Sequence, residues 1–139
     1  MRFFYTMKYL LLLLILFATG CNSNNGSYPT AANALDAGRE FIDATLKGDF
    51  AKAYFYMLQD AQNKQLLDKI ETDYRTKDRD GREQFRQASI NIGEVKDNGK
   101  TETIISYSNS YEKINKQLKV VLQNNQWQVD FKHSFKPNL

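Results

Sequence analysis

The hydrophobic periodicity of this chain changes near residue 88, and this change constrains the fold more than any other feature. Before it, apolar residues recur every three or four positions, as on one face of an α-helix. After it, apolar and polar residues alternate, as in strands with one buried face. Pro29 and Pro137 lie near the two ends, so no proline between them forces a break. The sequence therefore predicts an α+β domain with N-terminal helices packed on an antiparallel sheet.

The first half of the chain predicts three helices. The first covers about Thr30–Lys47 and has Thr30 as its cap. The pair Gly48-Asp49 ends this helix and begins the next one, because glycine is favoured just after a helix and aspartate just before one. The second helix is predicted over about residues 50–58 and the third over about residues 61–74. The charged segment that follows is predicted to be a polar turn.

The second half predicts about four strands that follow one another along the chain. Asn98-Gly99 is the strongest hairpin signal, and a further turn is expected between Asn109 and Asn115. Asn124-Asn125 marks the last turn, and the final strand is expected to bury Trp127. The inward-facing residues are Ala88, Ile90 and Ile92, then Thr103, Ile105 and Tyr107, then Leu118, Val120 and Leu122, and finally Trp127, Val129 and Phe131. The amphipathic helices are the available cover for this face.

The N-terminal segment resembles the signal peptide of a bacterial lipoprotein. Basic residues precede the apolar run Leu10–Phe17, which is too short to span a bilayer. The sequence Ala18-Thr19-Gly20-Cys21 then resembles a lipobox, although Leu is usual where Ala18 stands. We therefore expect residues 1–20 to be a signal peptide, residues 21–29 a polar tether acylated (with palmitate, for example) at Cys21, and residues 30–139 a single domain. Ordinary signal-peptide cleavage nearby is the alternative.

The predicted signal peptide indicates where the protein is located, and the charge and cysteine content of the chain exclude several functions. The expected location is the cell membrane or outer membrane, with the domain outside the cytoplasm. The chain has 19 basic and 16 acidic residues, and Arg2 and Lys8 leave with the signal, so a nucleic-acid partner is not expected. Cys21 is the only cysteine, which excludes disulfides, thiolate catalysis and cysteine–zinc sites within one acylated chain. We expect no cofactor.

Metal binding is not expected either. His133 is the only histidine, so a multi-histidine metal site is excluded. Asp78-Arg79-Asp80-Gly81 is similar to the start of a calcium loop, but the later oxygen ligands are missing. A polar turn explains this segment better.

Four side chains are candidates for lining a pocket, namely Tyr54, Tyr107, Tyr111 and His133. Tyr107 is the best of them because it shares the inward face with Ile105. Strand parity places His133 on the face of Trp127 and places Asp130 on the opposite face, so a neighbouring Asp–His pair is not expected. The strand acids mostly fall on polar faces, and we assign no catalytic residue.

Several short motifs resemble a known family. The segments Lys47-Gly48-Asp49-Phe50, Ala53-Tyr54 and Trp127-Gln128-Val129-Asp130 resemble features of small bacterial lipoproteins that carry a domain of unknown function. That domain belongs to the nuclear transport factor 2-like, or cystatin-like, superfamily, and the resemblance covers about residues 31–132. It implies a curved sheet around a long helix, often with a conical cavity. The superfamily contains isomerases, dehydratases and many non-catalytic binding modules, so the fold alone does not assign a function.

Taken together, these features predict a non-enzymatic, membrane-anchored lipoprotein of the cell envelope that binds a small molecule or a protein partner. One alternative is an enzyme of isomerase or hydrolase type that uses the cavity. It would need an acid close to His133 or Tyr107. The other alternative is a structural or assembly lipoprotein that docks through a sheet or helix face. A large apolar patch on the outer face of the sheet would favour it.

Overall fold

A computed structural model describes residues 27–134. The helices are α1 (Ala34–Lys47), α2 (Phe50–Phe55), α3 (Ala61–Thr76) and α4 (Arg79–Gln87). The strands β1 (Ile90–Asp97), β2 (Glu102–Asn109), β3 (Lys116–Gln123) and β4 (Gln126–Val129) follow, and the short helix α5 (Phe131–Ser134) comes last. The prediction of an α+β chain with helices first and a four-stranded antiparallel sheet second is therefore confirmed.

The predicted lipobox with Cys21 and the predicted signal peptide lie outside the described residues, as does most of the predicted tether. Among residues 27–134, no helix is both long and apolar enough to cross a membrane.

The sheet is a simple meander in which neighbouring strands along the chain are neighbours in space. The predicted hairpin is present: Asp97 pairs with Thr103, and Gly99 has a φ of 77° in the turn. The pairing of β1 with β2 shifts between Ile92 and Val95, as at a β-bulge. At the other edge, Met57 forms a parallel bridge with Val129 of β4. The two edges of the sheet are therefore different, one irregular and one covered.

Helix α1 lies against all four strands and forms the centre of the core. Phe41 and Ile42 are buried on the helix, and Ile105 and Leu118 are buried on the strands beneath it. Gly38 brings the helix backbone close to the sheet, because a Cβ there would lie 2.6 Å from Ile105 Cδ1. The spacing between helix and sheet thus depends on the absence of one methyl group.

The corner between α1 and α2 is built as the sequence predicts. Gly48 has a left-handed φ of 76°, and the side chain of Asp49 accepts a hydrogen bond from the backbone N–H of Lys52 at 3.0 Å. The ring of Tyr74 from α3 packs directly on Gly48, where a Cβ would meet Tyr74 Cε1 at 2.6 Å. This glycine therefore serves both the turn and the contact with α3.

Two helix boundaries differ from the prediction. Thr30 does not cap α1; Asn33 does, by accepting a hydrogen bond from the N–H of Asp36 at 2.9 Å. Helix α2 ends at Phe55 and does not reach residue 58, because the next residues pair with β4. The N–H of Leu58 donates to Val129 O at 2.9 Å, and tertiary pairing replaces the last helical turn.

The predicted polar turn near residue 78 is wrong. Asp78 caps helix α4 by accepting a hydrogen bond from the N–H of Gly81 at 2.7 Å. The helix was not recognised in the sequence because Phe85 is its one large apolar residue, so no apolar stripe repeats. The acidic start of the segment is a helix cap.

The final strand ends earlier than its alternating pattern predicts. It stops at Val129, and residues 131–134 form helix α5. The N–H of Asp130 donates to Lys119 O at 2.9 Å, and the N–H of Lys119 donates to Ser134 Oγ at 3.0 Å. The α5 segment thus covers the part of the β3 edge that β4 does not reach. Because His133 lies in this helix, the alternation of a strand does not predict its orientation. Trp127, opposite Leu122 near the last turn, packs against the core but is only partly buried.

Candidate functional site

A groove of about 1170 Å³ lies between the sheet and helix α5. Strands β1, β2 and β3 supply most of its lining, while Ile70 comes from α3 and Phe131, His133 and Ser134 come from α5. Because β4 is short, α5 stands where a longer strand would continue the sheet. The early end of β4 therefore shapes one wall of this groove.

Four uncharged polar side chains lie in the groove on one face of the sheet, together with Ile104. Asn91 pairs with Ser108 across β1 and β2, and Ser106 pairs with Gln117 across β2 and β3. Strand parity places all four on the face opposite Ile105 and helix α1, and all four line the groove. Amides and hydroxyls of this kind both donate and accept hydrogen bonds.

The charged groups of the lining are already compensated by neighbours. Glu102 accepts hydrogen bonds from Lys119, 2.8 Å away, and from Asn98, 2.9 Å away, and these bonds lower the pKa of its carboxyl group. Lys116 lies 2.6 Å from Glu112. A ligand in the groove would meet balanced charge, together with neutral donors and acceptors.

Tyr107 and Ile92 lie on the α1 side of the sheet, opposite the four uncharged polar residues, and with Ile70 and Phe131 they form an apolar part of the groove lining. Burial, and then the nearby charge of Glu112, raise the pKa of the Tyr107 hydroxyl well above its ordinary value. The phenol therefore stays protonated at neutral pH and can act as a hydrogen-bond donor, not as a base.

The structure places the four predicted lining residues in different surroundings. Tyr107 and His133 both line the groove. Tyr111 lines a second, shallower cavity of about 520 Å³ that also contains Phe85. Tyr54 lies on α2 against the core and lines neither cavity.

An acid does lie beside His133, which contradicts the parity argument. Asp130 Oδ2 is 3.5 Å from His133 Nε2, and Asp130 is only 6% exposed. The expectation that these residues point to opposite faces is wrong because the chain has turned into a helical segment, where residues three apart share a side. Asp130 is for the same reason not an outer-face residue of the sheet.

The three residue types of a hydrolase triad meet in this turn, but their hydrogen bonds run differently. Ser134 Oγ donates to Asp130 O at 3.1 Å and accepts from the N–H of Lys119 at 3.0 Å. Its proton is thus directed to a backbone carbonyl, whereas a triad directs it to the imidazole. The turn is arranged as a structural cap of the β3 edge.

A buried polar network that the sequence did not reveal holds α5 against α3. Asn63 is fully buried; its Nδ2 donates to Asp60 at 2.8 Å and to Asp130 at 3.3 Å. Its Oδ1 accepts the N–H of Lys132 at 2.7 Å, and Lys132 Nζ lies 2.8 Å from Asp60. Asp60 and Asn63 have the spacing of a helix cap, but their partners lie about seventy residues away, beyond any local pattern.

This network shifts the titration of one carboxyl group. The backbone N–H of Asn63, followed by Lys132, lowers the pKa of Asp60 to about 2. The groove wall formed by α5 is therefore fixed by charge-assisted bonds that need Asp60 ionised.

Comparisons of the chain with protein-family models, with curated proteins and with solved structures found no match. Within residues 27–134, no group of three or more His, Cys, Asp and Glu side chains is arranged to hold a metal ion.

Proposed function

We propose that this chain is a membrane-anchored lipoprotein of the cell envelope whose domain is a non-catalytic binding module. The groove beside α5 carries the binding part of this proposal, because it is large enough for a small molecule and is lined by uncharged donors and acceptors. The lipobox-like sequence that ends at Cys21 carries the anchoring part.

We also propose that the domain is of the nuclear transport factor 2-like, or cystatin-like, type. A long helix on one face of a four-stranded antiparallel sheet, with helices preceding the strands, supports this assignment. The Gly48-Asp49 corner that carries part of the sequence resemblance forms a sharp turn between two helices. A groove at the open part of the sheet agrees with a binding role for such a domain.

Binding without reaction is favoured by the chemistry of the lining. Glu102 and Lys116 are paired, and Tyr107 is held neutral. An isomerase or hydrolase remains the alternative, because Asp130 stands behind His133 at the edge of the groove. However, the Ser134 hydroxyl is occupied by backbone groups and is not oriented toward that histidine.

The anchor is tested with Cys21→Ser. Metabolic labelling with a radioactive fatty acid, followed by membrane fractionation, should show labelled, membrane-bound wild type and an unlabelled Cys21→Ser variant. Ser23→Ala, two residues away, is the matched control and should label like the wild type. Labelling that persists in Cys21→Ser would contradict the anchor.

The binding role is tested with a substitution that fills the groove. Full-length protein extracted from membranes in mild detergent would be examined by native mass spectrometry for a co-purifying small molecule. Ser106→Tyr, within the lining, should abolish the adduct. Gln123→Tyr, on the same face of the sheet but on β3 and outside the groove, should retain it. Equal adducts in both variants, or none in the wild type, would contradict binding in this groove.

A further inference from the structure

The shallow cavity at the β2–β3 loop carries an exposed apolar surface. Tyr111 is 42% exposed and Ile114 is 56% exposed. The ring of Phe85 on α4 packs on Tyr111, with ring centroids 5.1 Å apart in a T-shaped contact, and lines the same cavity as Ile114. We call Phe85, Tyr111 and Ile114, with the flanking Lys77 and Lys113, the loop patch.

The charges around the loop patch favour an anionic surface. The two acids beside the loop patch both have partners: Asp78 accepts a hydrogen bond from the N–H of Gly81 at the start of helix α4, and Glu112 forms an ion pair of 2.6 Å with Lys116. Lys77 Nζ lies 4.9 Å above the Phe85 ring and Lys113 is in the loop between the two exposed apolar side chains. Apolar side chains with cations beside them are typical of surfaces that rest on anionic lipid.

The loop patch also lies within reach of the N-terminal segment. The described chain starts next to Tyr28, whose hydroxyl is 3.4 Å from Asp49 at the corner before Phe50. From Phe50, ring contacts of 5.6, 6.4 and 5.1 Å lead through Tyr74 and Phe85 to Tyr111. The seven residues from Cys21 to Tyr28 can extend to about 25 Å, a distance comparable with this path.

From these observations we propose that the loop patch docks on the surface of the membrane that holds the lipid anchor, with Tyr111 and Ile114 inserted at the level of anionic headgroups. This inference rests on the proposed lipid anchor. A lipid anchor on one residue, attached through a polar segment, leaves a domain free to rotate, whereas a second contact fixes its orientation. The groove would then be held in a constant orientation to the bilayer.

The test uses full-length lipidated protein in vesicles of phosphatidylcholine and phosphatidylglycerol. Because Cys21 is the only natural cysteine and is acylated, Ile114→Cys introduces a single reactive thiol for a polarity-sensitive dye. Val95→Cys is the matched control, since Val95 is 43% exposed but lies on the edge strand β1 outside the loop patch. The dye on the Ile114→Cys variant should shift to shorter wavelength in these vesicles, and the dye on the Val95→Cys variant should not.

Flotation of the wild type and of Cys21→Ser with the vesicles reports separately on the anchor. A protein that floats while the dye at position 114 stays in a water-like environment would overturn the docking proposal and leave the anchor intact. An equal shift at both positions would also overturn it, because the contact would then not be specific to the loop patch. A wild-type protein that does not float would contradict the anchor. Vesicles added to that protein then test docking by itself, and a dye at position 114 whose emission does not shift would contradict docking as well.

Discussion

Gly38→Ala should destabilise the fold by crowding the contact between α1 and the sheet. The added Cβ would lie 2.6 Å from Ile105 Cδ1, closer than real side-chain contacts allow, and Ile105 is completely buried. Overpacking of this kind costs about 1–3 kcal/mol. Alanine in a helix interior is better than glycine by about 1 kcal/mol, which offsets part of the cost. The difference is a net loss of about 0–2 kcal/mol, set against the roughly 5–15 kcal/mol that stabilises such a domain.

A double-mutant cycle identifies the atom responsible. Ile105→Val removes the Cδ1 atom that the new methyl group would meet, and alone it should cost about 0.5–1.5 kcal/mol. In the double variant the methyl group of Ala occupies the space that Cδ1 left, so the two losses should not add. Urea unfolding followed by circular dichroism gives the four free energies of unfolding.

Two outcomes would refute this reasoning. A Gly38→Ala protein that is more stable than the wild type by about 1 kcal/mol, the full gain of alanine in a helix, would show that helix α1 moves away from the sheet at little cost. Losses that add to within about 0.5 kcal/mol in the double variant would show that Ile105 is not the group that crowds position 38.

Two further predictions concern the corner and the polar network. Gly48→Ala should lower the free energy of unfolding by roughly 2–4 kcal/mol, because it strains the left-handed backbone and displaces the Tyr74 ring. Gly99→Ala is the control, since Gly99 has a similar φ of 77° but no atom within 4 Å of the added Cβ. It should lose only the backbone-strain part, about 1–2 kcal/mol, in the same urea unfolding measurement. Because the pKa of Asp60 is lowered, its contribution to stability is complete above about pH 4 and is lost as the pH falls toward about 2. Asp60→Asn should therefore remove this part of the dependence of the free energy of unfolding on pH. An acid profile equal to that of the wild type would contradict the prediction.

The parts of the fold that were predicted from sequence depend on local chemistry. Gly48-Asp49 and Asn98-Gly99 fix their turns through backbone conformations that few other residues adopt, so the sequence alone indicates them. The strands follow from alternation because one face is buried by α1. These signals can be recognised from neighbouring residues in the sequence, without knowing which distant element they pack against.

The parts that were missed depend on distant partners. The alternation of Phe131 and His133 continues the strand pattern, but hydrogen bonds to Lys119 and Asn63 turn the chain into α5. Helix α4 is supported by one ring, Phe85, which no periodicity can reveal. The groove depends on where β4 ends, so the sequence could name Tyr107 and His133 as lining candidates but could not show which residues meet there.

The unequal edges of the sheet bear on how copies of this domain behave when they are crowded together. A regular free edge would accept a strand from a neighbouring molecule and start a growing chain of copies. Here Met57 and helix α5 close the β4 side, and the irregular pairing near Ile92 breaks the register on the β1 side. Glu94 and Lys96 add exposed charge to that same strand. The proposed membrane anchor would confine copies to a two-dimensional layer and make such encounters more frequent, and these two edges would oppose polymerisation there.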